Sequence, residues 1–258
     1  RRSSDLVGDL LVQRGYGIFD FLRVQNNKPL FLEAHLDRFF NSAAIMRLPI
    51  KQSRQELIAI VHELIEKNNI PNAGFRMIIA GGDAPDGYTI TEPHLIVIQQ
   101  PLAAPANELS PNGIHLVSYS YKRQLAEVKT TDYLMAIWLQ PWMKSLGGDD
   151  ILYHQDGIIS ECPRSNIFLV TADNVLVTPG AGMLKGITRG NILSLAAENN
   201  IPFEGKFFAR SSAQNRDGHR GHIFHVDGSS SPQKSIADIA AKRRILPTRG
   251  ICFNDIQV

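Results

Sequence analysis

The chain has 258 residues, enough for one large or two modest domains, and with 43% hydrophobic and 20% charged residues it reads as a globular protein. A formal charge of +2 is too small to argue for a nucleic-acid partner, and no apolar run is long enough for a membrane span. Two cysteines, Cys162 and Cys252, make neither a secreted disulfide framework nor a zinc site, and Arg1 to Leu6 lack the apolar core of a signal peptide, so a reducing cytoplasm is the expected compartment.

Gly17 to Val24 alternates as a strand, Asn26-Asn27 makes a turn, and Pro29 to Leu32 starts the partner strand. From Glu33 to Met46 the period changes to that of a helix, with Leu36, Phe39, Phe40, Ala43 and Ala44 on one face, and Leu48-Pro49 stops it. Ser53 caps a second helix with Glu56 as its capping-box partner, and Leu57, Ile60, Val61, Leu64 and Ile65 form the apolar stripe. Phe75–Ala80 and His94–Ile98 read as strands around a glycine-rich loop at 81–87. This gives a small N-terminal α/β domain over 1–100, an interdomain linker over 101–113, whose core is the Pro- and Ala-rich 101–107, and a larger domain over 114–258.

The larger domain begins with a strand from Ile114 to Tyr119 and a helix from about Thr131 to Met143. A strand at Asp150–Gln155 follows, turned at Asp156-Gly157 into a hairpin with Ile167–Val170, and a second hairpin turns at Ala172-Asp173-Asn174. Ile187–Asn199 is helical, no internal repeat is visible, and the fold class is α+β, with a cleft between two domains as the expected cofactor position.

Three segments carry chemistry. Lys129, in Glu127-Val128-Lys129-Thr130-Thr131-Asp132-Tyr133-Leu134, has an apolar approach in Val128 and Leu134; a poorly solvated lysine loses its proton more readily and can form a Schiff base. The competing reading is a capping or surface lysine. Glu161, in Glu161-Cys162-Pro163-Arg164-Ser165-Asn166, would need a cationic partner if buried, and a protonated pyridine nitrogen would serve; the competing reading is a rim carboxylate paired with Arg164. Gly186-Ile187-Thr188-Arg189 opens a helix, and its exposed N–H groups suit a phosphate, although Thr188 could simply be a cap. Arg38 could add a bidentate grip on the same anion or be an exposed helix arginine.

With Arg14-Gly15-Tyr16-Gly17-Ile18-Phe19-Asp20 and His35-Leu36-Asp37-Arg38 added, these ordered motifs resemble the class IV, fold-type-IV, pyridoxal-phosphate aminotransferases: D-amino-acid and branched-chain aminotransferases and aminodeoxychorismate lyase. The similarity runs from about Arg14 to about Asn200. It implies that Lys129 binds the aldehyde of pyridoxal 5′-phosphate and shuttles a proton between the substrate Cα and the cofactor C4′. It implies that Glu161 pairs with the pyridine nitrogen and that Arg38, Gly186, Ile187 and Thr188 hold the phosphate, with Asn166 in the cofactor site, Tyr133 near the ring 3′-oxygen and Phe19 toward the substrate. It also implies a homodimer. The Arg-x-His pair with which D-amino-acid aminotransferases of this family grip the substrate carboxylate is missing between Phe75 and Ile98, where Arg76 and His94 stand isolated; Arg14 and Arg164 are the replacements suggested by their nearness to family motifs.

The sequence departs from the family at both ends. Thirteen residues precede Arg14, so the usual first strand of the small domain is expected to be missing or replaced. Residues 206–258 carry nine Lys/Arg against four Asp/Glu and lack the Thr/Ser-rich turn that completes the phosphate cup. Reading the possible codons of His222 to Gly228 one nucleotide later permits Phe-Phe-Thr-Ser-Thr, which suggests a shifted reading frame that would pack poorly; otherwise Ser229 to Ser231 could substitute. His219, His222 and His225 are spaced by three, but Gly218 and Gly221 interrupt the helix that would gather them, so no metal is expected. The reading is a transaminase moving an amino group from an amino acid, D-amino acids favoured, to a 2-oxo acid. Its alternatives are a branched-chain L-amino-acid aminotransferase, an aminodeoxychorismate-type lyase and an impaired cofactor-binding relative.

Overall fold

A computed structural model describes residues 7–102, 114–171, 173–207 and, as backbone only, 222–226. The chain divides into two compact units: 1–104 with the five residues Val128–Asp132, and 105–127 with 133–258.

The first unit opens with a short helix α1 (Leu10–Arg14), capped by the Asp9 side chain on the Leu11 N–H and ended by Gly15 in the left-handed conformation. Its sheet has the order β2-β1-β3-β4, built from β1 (Gly17–Gln25), β2 (Lys28–Pro29), β3 (Asn72–Ala80) and β4 (His94–Pro101), all antiparallel. Asn26 and Asn27 both take positive φ, the backbone demanded by a two-residue hairpin turn, and Asn tolerates it better than most residues. The alternation expected of β1 is present: Ile18, Leu22 and Val24 point into the core, and Phe19, Phe21 and Arg23 point to the other face. Helices α2 (Leu32–Ile45) and α3 (Arg54–Asn68) close that core with Leu36, Phe39 and Ala43 and with Leu57, Val61 and Ile65. Ser53 and Glu56 form the reciprocal capping box expected of them.

The second unit has two sheets. One has the order β5-β6-β7, from β5 (Leu116–Ser120), β6 (Asp150–Gln155) and β7 (Ile158–Ile159); the other has the order β10-β9-β8-β11, from β8 (Asn166–Val170), β9 (Leu176–Thr178), β10 (Phe203–Gly205) and β11 (His222–Val226). Leu116, Leu152, Ile159, Ile167, Leu169 and Val177 form a core shared by both sheets. Helix α6 (Ile187–Glu198) packs Ile192 and Ala196 on Phe168 and Leu176.

Several expectations change here. The helix from Thr131 to Met143 is two short ones, α4 (Leu134–Trp138) and α5 (Gln140–Ser145), because Pro141 has no N–H to offer the preceding turn. The Asp156-Gly157 turn pairs β6 with two residues of β7 only, and β8 belongs to the other sheet, where it pairs with β9 and β11. The second hairpin forms as β8–β9 with Asn174 at positive φ, its Ala172 lying outside the described residues. Val128–Asp132, expected within a domain over 114–258, group with the first unit. They run beside the start of β1: Phe19 donates its N–H to the Lys129 carbonyl at 3.0 Å, and Thr131 donates to the Gly17 carbonyl at 3.0 Å. Of the linker expected over 101–113, residues 103–113 lie outside the described residues. So do most of 206–258, including His219 and Ser229 to Ser231, whereas β11 pairs with β8 over five residues.

Candidate active site

In the first unit, Lys129 is fixed through its backbone. Besides the Phe19 bond to its carbonyl, its own N–H donates to Ser42 Oγ at 3.3 Å, and Thr131 Oγ1 donates to the Gly15 and Gly17 carbonyls. Gly17 is required there, since a Cβ would overlap the Ile79 carbonyl and Leu11. The half-buried Lys129 side chain extends over the face of β1 that carries Phe19, with Nζ 4.6 Å from the ring centroid. Arg76, opposite Phe21 in the β1–β3 register, brings its guanidinium to the same surface, 5.8 Å from the Phe19 centroid and 5.9 Å from that of Phe21. The sequence passed over Arg76 as isolated; the signal that could have found it is period two, since Phe19, Phe21 and Arg76 share one sheet face once β1 and β3 are registered.

Arg38 sits beneath the opposite face. Its Nε and Nη2 each donate to Asp20 at 2.8 Å, a bidentate pair in which the Asp20 side chain is fully buried and that of Arg38 is 12% exposed. His35 Nδ1 lies 2.6 Å from Asp20 Oδ1, and the Phe21 N–H donates to the same oxygen at 2.8 Å. Burial pushes the Asp20 carboxyl up, but the charge and hydrogen bonds of Arg38, with His35 behind them, outweigh it and hold it at about 2. Arg38 is therefore anchored rather than an exposed helix arginine, and its Nη1 makes no hydrogen bond among the described residues. Arg14 is exposed at the end of α1, donating to the Gln13 carbonyl.

In the second unit, Glu161 is buried at the start of the turn that links β7 to β8. Its Oε1 accepts from Arg123 Nη1 at 3.2 Å and its Oε2 from the Leu184 N–H at 3.0 Å. Glu161 is therefore not a rim carboxylate paired with Arg164: Arg164 is exposed at the turn, and the cation beside the buried carboxylate is Arg123. Asn166, at the head of β8, donates from Nδ2 to the Leu184 carbonyl at 2.8 Å. Ser165 Oγ, between these two, is buried with no hydrogen-bond partner among the described residues.

Leu184 leads directly to α6. Gly186 is the N-cap, and no side chain among the described residues caps the helix, so Thr188 is not the cap and within those residues the first N–H groups are left for an outside acceptor. A Cβ on Gly186 would run into Asn166 Oδ1. Arg189 turns back to hold the end of β9, donating from Nε to Thr178 Oγ1 at 3.1 Å and from Nη2 to the Pro179 carbonyl at 3.0 Å; burial lowers its pKa. Tyr133 is the half-buried N-cap of α4. Within the second unit, a buried carboxylate, an orphaned hydroxyl and a helix start without a side-chain cap, lying over a glycine, fit the ring nitrogen and the phosphate of a phosphorylated pyridine aldehyde.

A profile of the amino-transferase class IV family matches residues 17–218. A D-alanine aminotransferase of Staphylococcus haemolyticus is 26% identical over 214 residues, 79% of this chain and 76% of that protein. A Rickettsia typhi protein assigned as a branched-chain-amino-acid aminotransferase is 32% identical over 188 residues, 69% of this chain and 64% of the other. Among solved structures, a Legionella pneumophila protein assigned as a 4-amino-4-deoxychorismate lyase superposes with a TM-score of 0.77 at 26% identity, covering 87% of this chain and 83% of that one.

Proposed function

Because the chain belongs to the class IV aminotransferase family, whose members are pyridoxal-phosphate enzymes, we propose that it binds pyridoxal 5′-phosphate and moves an amino group from an amino acid, a D-amino acid by preference, to a 2-oxo acid. When bound, the cofactor supplies an aldehyde that takes up the amino group and a ring that withdraws electrons. Lys129 Nζ would hold the cofactor at its aldehyde carbon and would move the proton at the substrate Cα. Glu161, its charge compensated by Arg123, holds a proton at the ring nitrogen. The uncapped amides of Ile187 and Thr188, with Gly186 beneath, would take the phosphate, and Arg38 is proposed for the same anion on the family likeness. Asn166 and Tyr133 complete the cofactor's surroundings, Tyr133 at the 3′-oxygen, and Phe19 faces the substrate.

The observation that carries the reading is the placement of the Lys129 side chain: its backbone is tied to Ser42 and Phe19, and the half-buried side chain sets Nζ 4.6 Å from the Phe19 ring centroid rather than reaching out into solvent. Purified protein should develop a visible band on adding pyridoxal 5′-phosphate, and hydride reduction followed by peptide mapping should find the label on Lys129. The band should disappear with one enantiomer of a responsive amino acid and return with a 2-oxo acid. Label on another lysine, or none, refutes the reading.

For the substrate carboxylate, Arg14, Arg76 and Arg164 are all exposed, and what favours Arg76 is the surface it shares with Phe19 and Lys129. The branched-chain alternative is supported by the Rickettsia relative and predicts L-selective turnover. The lyase alternative is supported by the Legionella likeness and predicts pyruvate release with no 2-oxo acid present. A homodimer is part of the proposal, supported by the apolar side chains Leu134, Ile137 and Trp138 of α4, each more than 60% exposed in the single chain. No described helix is long and apolar enough to cross a membrane; a cytoplasmic location is likewise proposed, supported by the low cysteine count.

A further inference from the structure

The Leu184 peptide is held from both sides. Its N–H is taken by Glu161 Oε2 at 3.0 Å, and its carbonyl by Asn166 Nδ2 at 2.8 Å. Glu161 and Asn166 are the two ends of one six-residue turn, and Leu184 lies two residues before the N-cap of α6. The same Asn166 side chain presses its Oδ1 on Gly186 so closely that no Cβ fits, and its Nδ2 is 3.8 Å from Met183 Sδ. Asn166 therefore touches three of the four residues from Met183 to Gly186 and is itself buried.

We infer that Asn166 is a positioning residue. Acting through the Leu184 carbonyl and the Gly186 backbone, it sets where the first amides of α6 point, and so it governs the grip on the phosphate without touching it. This rests on the reading of α6 as the phosphate site. It also makes Glu161 do two tasks: its carboxylate is the group for the ring nitrogen, and the same carboxylate holds the other side of the peptide that aims the helix start. The ring end and the phosphate end of the site are thus set by one backbone amide, and the glycine of Gly186-Ile187-Thr188 is required by Asn166 rather than by its own φ of −65°.

The test compares full-length wild type, Asn166→Ala, Gly186→Ala and the double variant in equilibrium binding of pyridoxal 5′-phosphate and of pyridoxal, which lacks the phosphate. Losing one buried hydrogen bond that aims the helix start should weaken pyridoxal 5′-phosphate binding by about tenfold and pyridoxal binding by less than about twofold. Gly186→Ala should show the same selective loss, and it should add little in the Asn166→Ala background, where the space for a Cβ has been vacated. Equal losses for both ligands, or fully additive losses, overturn the inference. A second measurement uses no cofactor: in the apo protein, amide hydrogen exchange at Leu184, which donates to Glu161, and at Gly190, which donates to the Gly186 carbonyl, should quicken about tenfold in Asn166→Ala while the β8 amides keep their protection. Unchanged exchange there overturns the clamp. If wild type takes up neither ligand, it is the reading of α6 as a phosphate site that fails, and the exchange result alone then decides the clamp.

Discussion

Replacing Asp20 by Asn removes the charge that anchors Arg38 while keeping the shape of the side chain. The Asp20 carboxyl titrates at about 2 in the folded chain against 3.8 ordinarily, nearly two pK units, and at about 1.4 kcal/mol per unit the ionised form contributes about 2 kcal/mol. Because the folded value lies below the unfolded one, that stability is fully present above about pH 4 and is lost as pH falls through 2; about 1 kcal/mol of it is gone by pH 3. At neutral pH the substitution also leaves a nearly buried guanidinium facing a neutral amide, and breaking a buried pair in this way costs about 3 kcal/mol. The assay is urea unfolding at pH 7 and pH 3, with pulsed hydrogen exchange reporting on peptides from β1 and β3. Asp20→Asn should be less stable at pH 7 by about 3 kcal/mol, and between pH 7 and pH 3 it should lose about 1 kcal/mol less than wild type. Other carboxylates cancel in that difference, including Asp86, which hydrogen bonds from Thr89 and Tyr88 hold at about 2 in an exposed loop. Parallel pH profiles for the two proteins would refute the account of Asp20 as an ionised anchor.

Three further outcomes are expected. Ser53→Ala removes the side-chain half of the α3 capping box and should lower stability by about 1 kcal/mol, read from the urea midpoint. Tyr153→Phe should be neutral or slightly stabilising in the same assay: burial pushes the Tyr153 hydroxyl pKa up, and the buried oxygen has no hydrogen-bond partner among the described residues, so removing it loses no bond. Arg76→Leu should raise the KM for the amino acid at least tenfold, with pyridoxal 5′-phosphate affinity unchanged; Arg14→Ala and Arg164→Ala serve as the comparison, and an unchanged KM in Arg76→Leu would return the carboxylate to one of them.

Local signals were legible in the sequence wherever one short segment decides the structure. The α3 capping box, the Asn26-Asn27 and Asp156-Gly157 turns and the alternation of β1 each depend on a few neighbouring residues, and each was read from them. The α4–α5 break was available too, since Pro141 interrupts an otherwise continuous apolar pattern. What the pattern did not contain is pairing between distant segments. An apolar run such as Ile167–Val170 is buried whichever sheet receives it, so nothing local separates a β6 partner from β9 and β11. The Val128–Asp132 bond to β1 spans more than a hundred residues, and no motif announces it. Arg123 was missed for the same reason: six residues before Lys129 in sequence, it earns its role only by reaching Glu161, 38 residues later.

The two buried carboxylates show why geometry, and not burial alone, separates a structural acid from a candidate functional one. Asp20 receives the Phe21 N–H, His35 and two guanidinium nitrogens, about as many donors as two carboxylate oxygens can accept. Any additional cation would have to displace one of them. Glu161 accepts from Arg123 Nη1 at 3.2 Å, a longer bond than the 2.8 Å bonds between Arg38 and Asp20. Its second oxygen is spent on a backbone amide whose position matters to a helix start. A carboxylate of the first kind immobilises an arginine. One of the second kind joins a cation at one oxygen to the approach of a helix start at the other, and that is why Glu161, and not Asp20, is the candidate partner for a cationic ring nitrogen.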